Sequence, residues 1–202
     1  MAAEQAVYVV DDEQDICNLL RDFLATAGLS VKTFTSGKEF LATYDQDRPG
    51  CLLLDISMPG MSGLEVLEEL KSRGCMTPVI FLTGSGNVST AVEALKGGAI
   101  DFIEKPPRLE ALLNCVRNAL SVDLQGRYER MQRLDIEHRI ELLTPRETEV
   151  MRWLVEGKSN KMIARILDIS SRTVEIHRKN IIDKMQANSV ADLVKMNLSV
   201  QV

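Results

Sequence analysis

The most constraining stretch of this sequence is Gly50 to Leu64, GCLLLDISMPGMSGL. An apolar run, Cys51 to Leu54, ends in a single acid, Asp55, and a turn segment with Pro59, Gly60 and Gly63 leads into a helical pattern. So short an unbroken apolar run, bounded by turn residues, suits a strand buried on both faces of a parallel sheet. Asp55 then stands where the strand leaves the core, at the carboxyl edge where open α/β sheets hold their ligands. A carboxylate there is a ligand, a nucleophile or a cap on the next turn, and the rest of the chain has to decide.

The strand–helix unit recurs. Ala6 to Val10 is an apolar run followed by Asp11-Asp12-Glu13, and Ile16, Leu19, Leu20, Phe23 and Leu24 stripe a helix that Gly28 stops. Val31 to Phe34 reads as a second strand, and Ser36 with Glu39 as the capping box of a second helix. After the strand ending at Asp55, Leu64, Leu67 and Leu70 mark a third helix. Val79 to Leu82 is a fourth strand ending at Thr83, with a helix expected over Val88 to Lys96. Asp101 to Ile103 is a fifth strand leading to Lys105-Pro106, and Leu109, Leu112, Val116 and Leu120 stripe a last helix. Alternating strands and helices predict a doubly wound α/β domain with a five-stranded parallel sheet, order 2-1-3-4-5. That order gathers Asp11, Asp12, Asp55, Thr83 and Lys105 in one crevice.

Packed carboxylates repel, and a divalent cation is the simplest remedy. Oxygen-only ligands with waters completing the shell suit Mg²⁺. A metal-bound carboxylate facing a lysine and a hydroxyl is equipped for in-line phosphoryl transfer, with Asp55 attacking, Lys105 neutralising charge and Thr83 donating a hydrogen bond.

The motifs DDE at 11–13, LLLDISMPGMSG at 52–63, TG at 83–84 and GAIDFIEKP at 98–106 resemble the receiver domain of bacterial two-component response regulators. The resemblance implies that Asp55 is the phosphoacceptor. It also implies that Asp12, Asp55 and the Ser57 carbonyl hold Mg²⁺, with Asp11 acting through water. Thr83 and Phe102 would be the switch pair, Lys105 the phosphoryl contact, and Lys105-Pro106 a cis bond. Pro107 and the loop Gly84-Ser85-Gly86-Asn87 depart from the common family pattern without touching this set.

The charge is uneven: residues 1–121 carry 10 Lys/Arg against 17 Asp/Glu, whereas residues 144–202 carry 10 against 7. Two modules with different partners are expected, an acidic one over 1–121 and a basic one over 144–202, joined by a polar helical linker over 122–143 whose weak point is Gly126. Thr144-Pro145-Arg146-Glu147 opens a helix with an N-cap, a first-position proline and a capping-box Glu. Ser159 to Leu167 is a second helix with Ile163, Ile166 and Leu167 inward. After the turn Asp168-Ile169-Ser170, a third runs through Met185. Helix, short turn, helix is the helix-turn-helix signature. On the third helix Val174, Ile181 and Met185 share one face, and Arg172, Glu175, Ile176, Lys179 and Asn180 project the other way. A β-branched residue among polar ones there suits a thymine methyl in a major groove.

Residues 143–189, LTPRETEVMRWLVEGKSNKMIARILDISSRTVEIHRKNIIDKMQANS, resemble the LuxR-type DNA-binding domain, and the whole chain resembles the NarL/FixJ class, leaning toward FixJ. The resemblance implies a cytoplasmic phosphoprotein that takes its phosphoryl group from a sensor histidine kinase. It would pair into a homodimer, bind promoter DNA and activate transcription, with RNA polymerase as a further partner. Glu175, Ile176 and Lys179 would approach bases, Lys161 and Arg172 phosphates, and Val190, Leu193, Val194 and Met196 of an exposed last helix would make dimer contacts. No enzyme activity beyond the phosphoacceptor chemistry is expected. An aspartate-nucleophile phosphatase would want a second acid two residues after Asp55, where Ser57 stands. A receiver working without phosphorylation would have little use for the full Asp/Thr/Lys set. The scattered Cys17, Cys51, Cys75 and Cys115 read as reduced core residues, and no apolar run is long enough to span a bilayer.

Overall fold

A computed structural model describes residues 5–84 and 95–200. The chain divides into two compact units, Met1–Arg127 and Tyr128–Val202.

In the first unit, β1 (Ala6–Val10), β2 (Ser30–Phe34), β3 (Gly50–Asp55), β4 (Val79–Thr83) and β5 (Asp101–Glu104) form one parallel sheet in the order β2-β1-β3-β4-β5. Leu52 and Leu54 point into one apolar layer with Tyr8, Phe40, Val66, Leu70 and Phe81, beneath α2 (Gly37–Thr43) and α3 (Gly63–Ser72). Leu53 points the other way, joining Val9, Leu20, Leu24, Ile80, Leu112 and Val116 beneath α1 (Gln14–Thr26) and the start of α4 (Leu109–Glu141). Covering both faces is why β3 carries no polar alternation. Each wholly buried leucine contributes about 2 kcal/mol of transfer free energy. The helix expected over Val88–Lys96 and the loop through Asn87 lie for the most part outside the described residues.

Two glycines set the path of β3. A Cβ on Gly50 would collide with the Ala6 carbonyl oxygen, and one on Gly63 with the Asp55 carbonyl oxygen and the Phe81 ring. Gly63 thus lets α3, capped by a reciprocal Ser62–Glu65 box, start directly against the end of β3.

The stretch expected as a linker helix continues the last receiver helix without a break through Gly126, but where it leaves the apolar core it is not solvated: charge holds it to the first unit. Asp123 is buried, accepts a hydrogen bond from the Gly50 N–H at 2.8 Å and pairs with Arg127 Nε at 2.9 Å. Arg127 in turn donates to the carbonyls of Gln46, Asp47 and Arg48. Farther on, Ile136 and Ile140 pack against the core of the second unit.

That second unit holds α5 (Pro145–Val155), α6 (Asn160–Leu167), α7 (Ser171–Met185) and α8 (Val190–Val200) around Val150, Leu154, Ile163, Val174, Ile181, Met185 and Leu193. Thr144 and Glu147 form the expected capping box. Glu147 is buried and also takes Lys184 Nζ at 2.6 Å, which ties the start of α5 to α7. Burial alone would raise the Glu147 pKa, but Lys184 and Thr144 outweigh it and hold the carboxyl at about 2. Two expectations fail here. Ile166 is 43% exposed, not inward, because α6 packs through Ile163 and Ala164. Leu193 is wholly buried, and Val190 and Met196 are half-buried and packed against the same core rather than free for a partner, because α8 uses this stripe to close its own unit. All four cysteines are free thiols; Cys17 and Cys51 are buried and Cys75 and Cys115 half-buried.

Candidate functional site

The parallel strands end together, and their ends carry the acids and the lysine. Asp11 follows β1, and its N–H donates to the Phe34 carbonyl at the end of β2. Asp55 closes β3 beside Leu82, and Thr83 closes β4 beside Glu104. The next residue, Lys105, is drawn back over the edge by its N–H, which donates to the Thr83 carbonyl at 2.8 Å, and its bond to Pro106 is cis.

Asp11, Asp12 and Asp55 each offer a carboxylate oxygen, and these lie within 4.8 Å of one another. Asp11 and Asp55 are buried and Asp12 is exposed. Lys105 Nζ stands 2.6 Å from Asp11 Oδ2, 3.1 Å from Asp55 Oδ2 and 3.5 Å from Glu13 Oε1. Asp55 Oδ1 accepts the Ser57 N–H at 3.3 Å, and Asp11 Oδ1 accepts the Glu13 N–H at 3.0 Å. Burial pushes the Asp11 pKa up, and its bonds to Lys105 and the Glu13 N–H only partly offset that. For Lys105, burial acts to lower the pKa, but the hydrogen bonds to Asp11 and Asp55 prevail and raise it, so the ammonium is held charged.

The donor set fits a hard divalent cation. It offers only carboxylate oxygens, close together at the strand ends, and two of the three acids are buried. One lysine facing three carboxylates leaves a net negative pocket that a cation would balance.

Thr83 and Phe102, expected as the switch pair, flank this edge. Thr83 is buried and its hydroxyl donates to the Gly84 carbonyl at 3.1 Å, while the Phe102 ring on β5 is 42% exposed. Sequence reasoning missed Cys17, whose thiol donates to the carbonyls of Asp11 at 3.3 Å and Phe34 at 3.5 Å and so holds the backbone beneath the pocket. Nothing in the sequence distinguishes that thiol from an ordinary core residue of α1.

In the second unit, α6 ends with Asp168 in the left-handed region, at φ 52°, and Ser170 caps α7 by accepting the Thr173 N–H at 3.0 Å. Val174, Ile181 and Met185 face the core. Arg172, Glu175, Ile176, Lys179 and Asn180 are exposed, Ile176 at 54%, and Lys161 is exposed on α6. Arg178 is engaged by Asn160 Oδ1 at 3.4 Å, and His177 Nδ1 is buried, which takes both off the outward face.

The family model of the response regulator receiver domain matches residues 7–117, and that of the bacterial regulatory proteins of the luxR family matches residues 141–197. The chain is a two-component response regulator. The regulator is 42% identical over 193 residues to the response regulator protein TmoT of Ectopseudomonas mendocina, covering 96% of this chain and 88% of that protein. It is 44% identical over 193 residues to the transcriptional regulatory protein FixJ of Azorhizobium caulinodans, covering 95% and 91%. Among solved structures it resembles the response regulator StyR, with a TM-score of 0.86 and 37% identity over 97% of this chain and 99% of that one. Full-length FixJ from B. japonicum gives a TM-score of 0.59 at 37% identity, covering 97% of each chain.

Proposed function

We propose that this response regulator takes a phosphoryl group onto Asp55 from a sensor histidine kinase and that the phosphoryl group controls pairing of two copies and binding to promoter DNA. The observation that carries the reading is the convergence of Asp11, Asp12, Asp55 and Lys105 at one sheet edge. In the transfer, an Asp55 carboxylate oxygen bonds to phosphorus as the bond from phosphorus to the donor imidazole nitrogen breaks, and that nitrogen keeps the bonding electron pair and takes up a proton from solvent to leave as neutral imidazole. Lys105 neutralises charge on the phosphoryl oxygens, and the Thr83 hydroxyl is within reach of the same edge. Asp12, Asp55 and the Ser57 carbonyl, together with Asp11, would hold Mg²⁺, which would supply charge neutralisation at the phosphoryl oxygens.

The switch is read as Thr83 exchanging the Gly84 carbonyl for a phosphoryl oxygen while Phe102 turns in from solvent. That alters the face around Val88 to Ile103, which we propose as the pairing surface; much of it lies outside the described residues. In this division of labour residues 1–121 receive the phosphoryl group, 122–143 connect, and 144–202 bind DNA. On α7, Glu175, Ile176 and Lys179 read bases, and Lys161 and Arg172 hold phosphates. Two paired helix-turn-helix units reach half-sites one DNA turn apart, about 34–36 Å. The regulator acts in the cytoplasm as a transcriptional activator, with RNA polymerase as a further partner. No helix among the described residues is long and apolar enough to cross a membrane.

The test uses wild type and Asp55→Asn with a small phosphodonor, with and without Mg²⁺, followed by sedimentation. Mg²⁺-dependent labelling and dimerisation of the wild type alone is expected. Equal labelling of both proteins contradicts the assignment. A phosphorylated protein that stays monomeric yet binds DNA more tightly replaces pairing with release of an inhibitory receiver contact.

A further inference from the structure

We infer that Asp123 and Arg127 are a charged latch that makes the first part of the connecting helix move with the receiver, and that phosphorylation of Asp55 governs DNA binding only while this latch is closed. The inference rests on the reading of Asp55 given above. In the sequence the two residues look like an ordinary exposed i,i+4 pair, a kind that contributes little. In the fold Asp123 is 5% exposed and serves two elements at once. Its Oδ2 accepts the Gly50 N–H at 2.8 Å, at the start of the strand that ends in Asp55, and both its oxygens accept Arg127 Nε, at 3.0 and 2.9 Å. Arg127 then spreads its Nη groups over three successive carbonyls, those of Gln46, Asp47 and Arg48, at 2.8 to 3.1 Å. Gly50 is itself required, since a Cβ there would meet the Ala6 carbonyl oxygen.

A buried ion pair is a poor means of gaining stability, because well-packed apolar residues usually do as well. Its advantage is geometric: a planar guanidinium meeting three carbonyls and a carboxylate fixes the rotation and the height of the helix at that point. The helix is the covalent path from the receiver to the residues beyond 127, so a change in the receiver reaches the second unit along it only as far as the helix is held to the receiver. A helix loose on the receiver would absorb the change. Asp123 and Arg127 are thus positioning residues for the regulation, far in sequence from the phosphoacceptor and outside its chemistry.

The experiment uses full-length wild type, Asp123→Asn and Arg127→Lys. Three readouts are taken: labelling of Asp55 by a small phosphodonor, hydrogen exchange at Gly50 and residues 118–130, and the gain in affinity on phosphorylation for a duplex that phosphorylated wild type selects from random DNA. Both variants are expected to label like wild type, to exchange faster at Gly50 and along 118–130, and to show a phosphorylation gain smaller by about threefold or more. If Asp123→Asn does not fold, Arg127→Lys, which keeps the charge and loses the fork, carries the same test. A variant with faster exchange and an undiminished gain overturns the coupling role and leaves the latch as a structural tie only. A variant whose exchange is unchanged overturns the latch itself. If wild-type affinity ignores phosphorylation altogether, the reading of Asp55 fails, and the latch's role in coupling fails with it.

Discussion

Asp11 divides its carboxylate between two tasks. Oδ1 accepts the Glu13 N–H just ahead of α1, while Oδ2 is buried and pairs with Lys105. Asp11→Asn keeps an oxygen for the first bond and removes the charge, so the fold is expected to survive while divalent cation affinity drops by about tenfold or more, read by calorimetric titration. Glu147 makes the opposite case, a buried acid wholly occupied by structure. Its folded pKa of about 2 lies below the ordinary 4.5, so its stabilisation is complete above pH 4.5 and is lost as pH falls through about 2. Glu147→Gln is expected to destabilise the second unit by about 2 kcal/mol at pH 7, with the difference shrinking at pH 3. The chain has a single tryptophan, Trp153 on α5, whose fluorescence in urea reports this transition. Much at this scale was legible. Asp11, Asp55 and Lys105 stand at strand ends in the sequence pattern, and they meet in the fold. Cys17 was not, because a thiol bonding two carbonyls and a thiol filling a core have the same sequence context.

At the scale of elements, unbroken apolar runs located the strands, which are covered on both faces, and apolar periodicity located most helices, which turn one stripe to a core. It misjudged Ile166 and Leu193, since periodicity gives a helix's apolar stripe but not which end of the stripe meets the neighbouring helix. In α4 it found the stripe through Leu112, Val116 and Leu120 and the helical bridge, but took Asp123 and Arg127 for solvated charges. That helix serves the first unit through Val116, Leu120 and Asp123 and the second through Ile136 and Ile140, so no single amphipathic face runs its length. Its latch is made of a charge pair, which pattern reading assigns to solvent. Two predictions belong here. Gly63→Ala is expected to cost about 1–3 kcal/mol, read as a lower thermal midpoint, because a Cβ there meets the Asp55 carbonyl and the Phe81 ring. On α7 and α6, Ile176→Ala is expected to relax preference at one base pair by about 1 kcal/mol. Lys161→Ala should instead weaken binding to all sequences and flatten its salt dependence. Competition binding at two salt concentrations separates the two, and a uniform loss from Ile176→Ala would remove that residue from the groove.

For the whole molecule, the acidic and basic halves of the chain fall in different compact units, one gathering carboxylates at a sheet edge and the other presenting a helix with polar and basic side chains outward. The account joins them in one claim, that a phosphoryl group on Asp55 changes how tightly the second unit holds DNA. The coupling required is modest, since about 1.4 kcal/mol alters affinity tenfold. The most direct test is a DNA titration of the full-length protein with and without a small phosphodonor and Mg²⁺, run in parallel on wild type and Asp55→Asn. The account predicts that phosphorylation tightens wild-type binding by about tenfold or more and leaves Asp55→Asn unchanged. An equal gain in both proteins, or no gain in the wild type despite full labelling of Asp55, would contradict it.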